Sequence, residues 1–218
     1  MVAPNAKVAP LINIASAHGI NFTSTEIAVL NEQGQPMINK IKDLIQTFNN
    51  SVKTDFGNLM KNLTGKSLNS KEIEALDAIA DNIDSYKFLM RLMYAANAYA
   101  AETTTAVKYN AIGSKCSHCK ANAFKHALFL IYNAETFTLS SANTLASAHE
   151  YGQVGIDTEM DKKNNAAGSS IFSQFNGSGT SSQWADRVKL AANLGKHGLV
   201  FIKNSVLVST TNFDPDCP

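Results

Sequence analysis

The sequence predicts a mainly α-helical protein, a multi-helix globular domain with a small C-terminal β-hairpin. Three observations predict it. Apolar residues recur at helical spacing along most of the chain beyond residue 37, and strand-like runs of β-branched residues are confined to the C-terminal end. Turn residues separate segments of helical rather than strand length. With 218 residues, 44% of them apolar, the chain is long enough to bury a core as one large domain or two small ones.

Residues 1–36 carry Pro4, Pro10, Gly19, Gly34 and Pro36 among few charges, which predicts an extended or loosely packed N-terminal arm. A helical region then runs over 37–115. Ile38, Ile41, Leu44, Ile45 and Phe48 fall on one helical face, which continues through Val52, Phe56, Leu59, Met60 and Leu63 until Thr64-Gly65-Lys66 stops it. Asn69 or Ser70, with Glu72 in reach, caps a helix carrying Ile73, Leu76, Ile79 and Ala80. The Ala-rich segment from about Ser85 to Tyr109, with Phe88, Leu89, Leu92, Met93 and Ala96, has the composition of a buried helix rather than of a cofactor site.

The third region, 116–218, holds three successive short helices around 120–135, 140–151 and 158–173. The Gly/Ser stretch 176–182 is a loop, and Ser182 is expected to cap a further helix carrying Trp184, Val188, Leu190 and Leu194 and ending at Gly195. Leu199–Ser209 reads as two strands turning at Lys203-Asn204-Ser205. The last two regions, 37–218, read as one compact domain. No internal repeat or sustained heptad occurs, which argues against solenoids and long coiled coils.

Nineteen basic residues against eighteen acidic leave a net charge of +1, so no nucleic-acid partner is expected. No stretch approaches the ~20 apolar residues of a membrane span. Only 17% of residues are charged, against about 25% in an average soluble protein. Asn, Ser and Thr supply the polarity instead, a balance common in secreted and cell-surface proteins. A secreted or cell-surface location is therefore expected, although residues 1–10 lack the charged start and apolar run of a signal peptide. Cys116, Cys119 and Cys217 leave three readings open. They are a structural disulfide, with Cys217 pinning the tail to the loop before a central helix, a zinc site completed by His118 or His126, or free redox thiols.

Polar residues placed at regular intervals on apolar helices are costly to bury unless they are paired or used. In the 120–135 helix, Asn122, His126 and Asn133 lie close to one stripe among Ala, Leu, Phe and Ile. In the next, Ala142, Leu145 and His149 share a face, with Glu150 adjacent and Gly152 as a stop. In the third, Asp161, Asn165 and Gly168 face one way, and Ala166, Ala167 and Gly168 would let a neighbouring helix approach closely.

Ala123-Phe-Lys-His-Ala127, Ala148-His-Glu150 and Met160-Asp-Lys-Lys-Asn-Asn165 with Gly168 resemble an uncharacterised bacterial domain of secreted, surface and toxin-like multidomain proteins. That family's pattern is Ala-Phe-Arg-His-Ala, Ala-His-Glu and Met-Asp-x-His-Asn-Asn-x-x-Gly-Arg. The resemblance covers about residues 120–172 and implies a secreted or delivered bacterial protein, without bringing an established activity. The chain departs from the pattern at Lys125 and Ser169, where Arg is usual, and at Lys163, where the family has His. If that histidine is a ligand or proton shuttle in the family, these departures bear on whether this member keeps the activity.

His126, His149, Glu150 and Asp161 are the catalytic candidates, and they are also the ligand types of a divalent metal site, the one cofactor these residues suit. Without a metal, a histidine held by a carboxylate serves as a general base. Asn122 and Asn165 are the substrate-binding candidates. No Gly-x-Ser-x-Gly elbow, Walker loop, Rossmann fingerprint or EF-hand loop is present, and a single Trp offers little platform for sugar. Two functions are thus expected to compete. One is a hydrolase acting on an envelope or other extracellular substrate; the other is a non-enzymatic surface or interaction protein in which the same residues form a buried structural network.

Overall fold

The computed structural model describes residues 2–17, 21–35, 38–39, 41–42, 68–81, 84–109 and 116–214. The chain divides into two compact units, 1–99 and 100–218. Among the described residues it is mainly helical with one antiparallel hairpin, the predicted class.

The first unit begins with α1 (Ala9–Ala17) and α2 (Ser24–Glu32). The stretch expected as an extended or loosely packed arm is therefore helical and tied down. Its two prolines near the start misled: Pro10 sits in the first turn of α1, where the missing N–H costs nothing. The Asn5 side chain accepts from the Lys7 and Val8 backbone, opening α1, and donates to Asn31 O at 3.0 Å, while Asn31 in turn donates to Ala3 O at 2.9 Å. A capping box between Thr23 and Glu26 starts α2. Val8, Leu11, Ala15, Val29 and Leu30 are buried. Ile38 and Ile41 are helical and buried as expected, and the remainder of that predicted face, from Leu44 to Leu63, lies outside the described residues.

α3 (Ser70–Ile79) is opened by Asn69, whose side chain accepts from the Lys71 and Glu72 backbone, while Glu72 reaches back to Asn69 N. The next helix, α4 (Asp84–Lys108), buries Leu92, Met93, Tyr94 and Ala96. Tyr94 donates its hydroxyl to Glu72 Oε1 at 2.8 Å in the buried interior, and Arg91 pairs with Asp77.

The second unit is built around α5 (Lys120–Thr136), which packs against α6 (Leu139–His149), α7 (Ile156–Gln174), α8 (Ser181–Leu194) and β1 (Val200–Lys203). A helix contacted on so many sides must be apolar nearly all round, and α5 buries twelve of its seventeen residues. Small residues bring α7 in closest. A Cβ added at Gly168 would stand 2.5 Å from Ala127 O, so glycine is required for the two backbones to meet as they do.

Trp184 on α8 is fully buried, stacked on Phe172 of α7 at 5.5 Å between ring centroids, and donates its indole N–H to Glu135 Oε1 at 2.7 Å. Thr180, rather than the expected Ser182, caps α8, because Gln183 falls three residues on and closes the capping box; Gly195 ends the helix in the left-handed region. β1 pairs with β2 (Val206–Ser209), with Lys203 opposite Val206. Asn204 and Ser205, both at positive φ, form the two-residue turn.

Two polar contacts fix the hairpin and tail. Asn164 of α7, fully buried, accepts from Val200 N at 2.9 Å and donates to Val200 O at 3.0 Å, standing in for a strand edge. Asp214, also buried, accepts from Lys120 N at 2.8 Å and so caps the start of α5, where the N-cap residue Cys119 provides no side-chain bond. Cys116 and Cys119 lie at disulfide distance from each other. Cys217 lies outside the described residues, and the described tail is held to α5 by Asp214.

Candidate functional site

Periodicity places the site. On α5, Asn122 and His126 are one turn apart on the face that meets α7; on α7, Asp161 and Asn165 are likewise one turn apart. The close seat of Gly168 on Ala127 holds these two faces together. His126 Nε2 stands 3.1 Å from Asp161 Oδ1, and Asn122 Nδ2 donates to the same oxygen at 3.3 Å. Glu150, the C-cap residue of α6, completes the group. It is 3% exposed, with both carboxylate oxygens buried, beside His126 at 8%. One imidazole nitrogen of His126 and one carboxylate oxygen each from Glu150 and Asp161 lie within 4.8 Å of one another.

Two cavities flank this cluster. A small one of about 10 Å³, room for about a single water, is lined by His126, Asn133, His149 and Asn165 together with apolar side chains. A surface groove of about 550 Å³ runs between the end of α6 and α7. Glu150 and Asn165 line it with Asn143, Ser147, Tyr151, Gln153 and Lys162, a wall of amides, hydroxyls and one cation around a buried carboxylate. Asn165 borders both spaces.

Of the six residues singled out from sequence, the structure brings Asn122, His126, Glu150 and Asp161 together and sets Asn165 beside them. His149 is half-buried and lines the small cavity, outside the trio of ligand-type atoms. Exposed Lys163 lines neither cavity, so the departure there removes none of the three. Lys125 pairs with Glu102 Oε2 at 3.5 Å, and Ser169 accepts from Asn143. The exposed His118 pairs with Asp157, and the half-buried His197 with Ser170.

The groove residues of the α6–α7 connection, Tyr151 and Gln153, were not singled out from sequence. Their only signal was their place beside Glu150 and Gly152, since a loop residue has no periodicity to betray which way it faces. Asn164 was likewise passed over for Asn165, although it is the neighbour that does the structural bonding.

No curated protein and no solved structure matches the chain at a significant level. A family profile described as a domain of unknown function, DUF6973, matches residues 86–196, just over half of the chain, from near the start of α4 to the end of α8. It takes in His126, Glu150 and Asp161 with the helices that present them, and the chain belongs to that family.

Proposed function

We propose that the protein is a hydrolase whose reacting groups are His126, Asp161 and Glu150, secreted or delivered to act on an envelope or other extracellular substrate. The observation that carries this reading is the contact of His126 Nε2 with Asp161 Oδ1 at 3.1 Å beside buried Glu150, at the edge of an open groove. With Nε2–H donating to Asp161, the imidazole is held in the tautomer whose Nδ1 is basic, and its positive charge is stabilised when it takes a proton. His126 borders a space that fits about one water, the nucleophile such a base would activate. Glu150, which lines the groove, is the second acid–base group, and Asn165, bordering both spaces, positions what binds.

The Asn122–Asp161–His126 chain of contacts also supports the rival reading, a structural network in a non-enzymatic surface protein. The test incubates the purified chain with isolated cell envelopes and measures released soluble fragments. Wild type is expected to release them, and His126→Ala and Asp161→Asn to lose at least ~100-fold of the rate, the usual worth of a positioned base, while retaining their melting temperatures. No release by wild type, with both variants merely less stable, would overturn the hydrolase in favour of the network.

A further inference from the structure

We infer that His126, Glu150 and Asp161 form a binding site for one divalent transition-metal ion of the zinc or manganese class. The donor set is one imidazole nitrogen and two carboxylate oxygens, contributed by three different helices or helix ends. Three protein ligands with the remaining positions left to water or substrate is the pattern of a catalytic rather than a structural site. The imidazole selects for transition ions over calcium and magnesium, which prefer all-oxygen shells.

Distance and charge agree. Ligands at right angles around an ion about 2.1 Å away stand about 3 Å apart, and opposite ones about 4.2 Å. The 3.1 Å between His126 and Asp161 already matches the first spacing, and the 4.8 Å limit on the whole trio stands about 0.6 Å beyond the second, a gap that small side-chain shifts would close. Two carboxylates held this close in a largely buried setting repel each other when both are ionised. A divalent ion taking the place of the proton between His126 and Asp161 balances that charge. Asn122, which donates to Asp161, fixes the orientation of one ligand from behind. Glu150 and Asn165 line a surface groove beside the cluster.

What the ion would do rests on the hydrolase reading, where it would lower the pKa of a bound water; its binding stands on the geometry alone. The test adds Zn²⁺ or Mn²⁺, with Mg²⁺ and Ca²⁺ for comparison, to the EDTA-treated full chain and reads melting temperature and isothermal titration. One equivalent of Zn²⁺ or Mn²⁺ is expected to bind and raise the melting temperature with ion concentration. Glu150→Gln and Asp161→Asn, which keep side-chain volume, are expected to bind at least ~10-fold more weakly, as loss of even a supporting contact does. His118→Ala, which removes the surface His118–Asp157 pair, should bind as wild type does.

No shift in wild type at ~100 μM ion, a concentration well above the micromolar Kd such a site would need, would overturn the inference. So would equal binding by Glu150→Gln and wild type. The two proposals fail separately. Binding without release of envelope fragments sinks only the hydrolase, and full release by the EDTA-treated chain, with no ion bound on titration, sinks only the metal site.

Discussion

Tyr132 and Glu72 show how the buried polar residues of this chain are reconciled with burial, each by its own partners. Glu72 receives the Tyr94 hydroxyl on one oxygen and the Asn69 backbone N–H on the other, and it sits in the first turn of α3, where the helix end favours negative charge. Tyr132 is buried in α5 with its hydroxyl near Ser181 O. Burial pushes its pKa above the ordinary 10.0, the Glu135 charge pushes it further up, and a hydrogen bond with Thr104 partly opposes both. The folded protein therefore holds the Tyr132 proton more tightly than the unfolded chain. Stability from this residue is complete below about pH 10 and is lost as pH rises from there through the raised folded value. The melting temperature is expected to fall above pH 10, and Tyr132→Phe to fall less steeply over the same range. An identical slope in the variant would assign the alkaline loss to other groups.

At the scale of elements, the tight contact between α5 and α7 is also what sets the site. Gly168 seats on Ala127, one residue from His126, and on the same helix Asp161 and Asn165 reach the other side of the cluster. Gly168→Ala would press a methyl to 2.5 Å from Ala127 O, which the backbones must separate to accept. A loss of about 1–3 kcal/mol of stability is expected, the usual cost of overpacking, even though Ala is the better helix former. Urea denaturation measures it, and a gain in stability would show that α5 and α7 slide apart freely. The helices of this unit were legible in the sequence because each carries its own stop signals: Gly195 ends α8, and the Asn204-Ser205 turn joins strands of matching length. The N-terminal helices were not, because Pro10 occupies a helix start and Gly34 a connection, and the residues tying α1 to α2, Asn5 and Asn31, are long-range partners that local pattern cannot pair.

Across the whole molecule, what the sequence conveyed of the site was its stripes, and what it withheld was how the stripes face one another. Asn122 and His126, or Asp161 and Asn165, share a face by spacing alone, but the choice of Glu150 over His149 as the third member depends on where α6 ends and on the Glu150 carboxylate turning inward at its cap. The role of Asp214 was hidden for the same reason: a tail residue returning to the start of α5 lies 94 positions along the chain from its partner. Such contacts make α5 the element on which the second unit depends. It is bordered by three helices and a strand, its N-terminus is capped by the tail, and its buried residues include Phe124, Leu128, Ile131 and Tyr132. Exposing its amides thus requires most of that unit's core to open at once. In native-state hydrogen exchange, the amides of residues 124–132 are expected to be the slowest of the second unit and to share one opening free energy. Those of the exposed 151–155 connection should exchange many orders of magnitude faster. If α5 exchanged faster than α6 and α8, it would open without the rest of the core, and the His126–Asp161 contact would depend on local fluctuation.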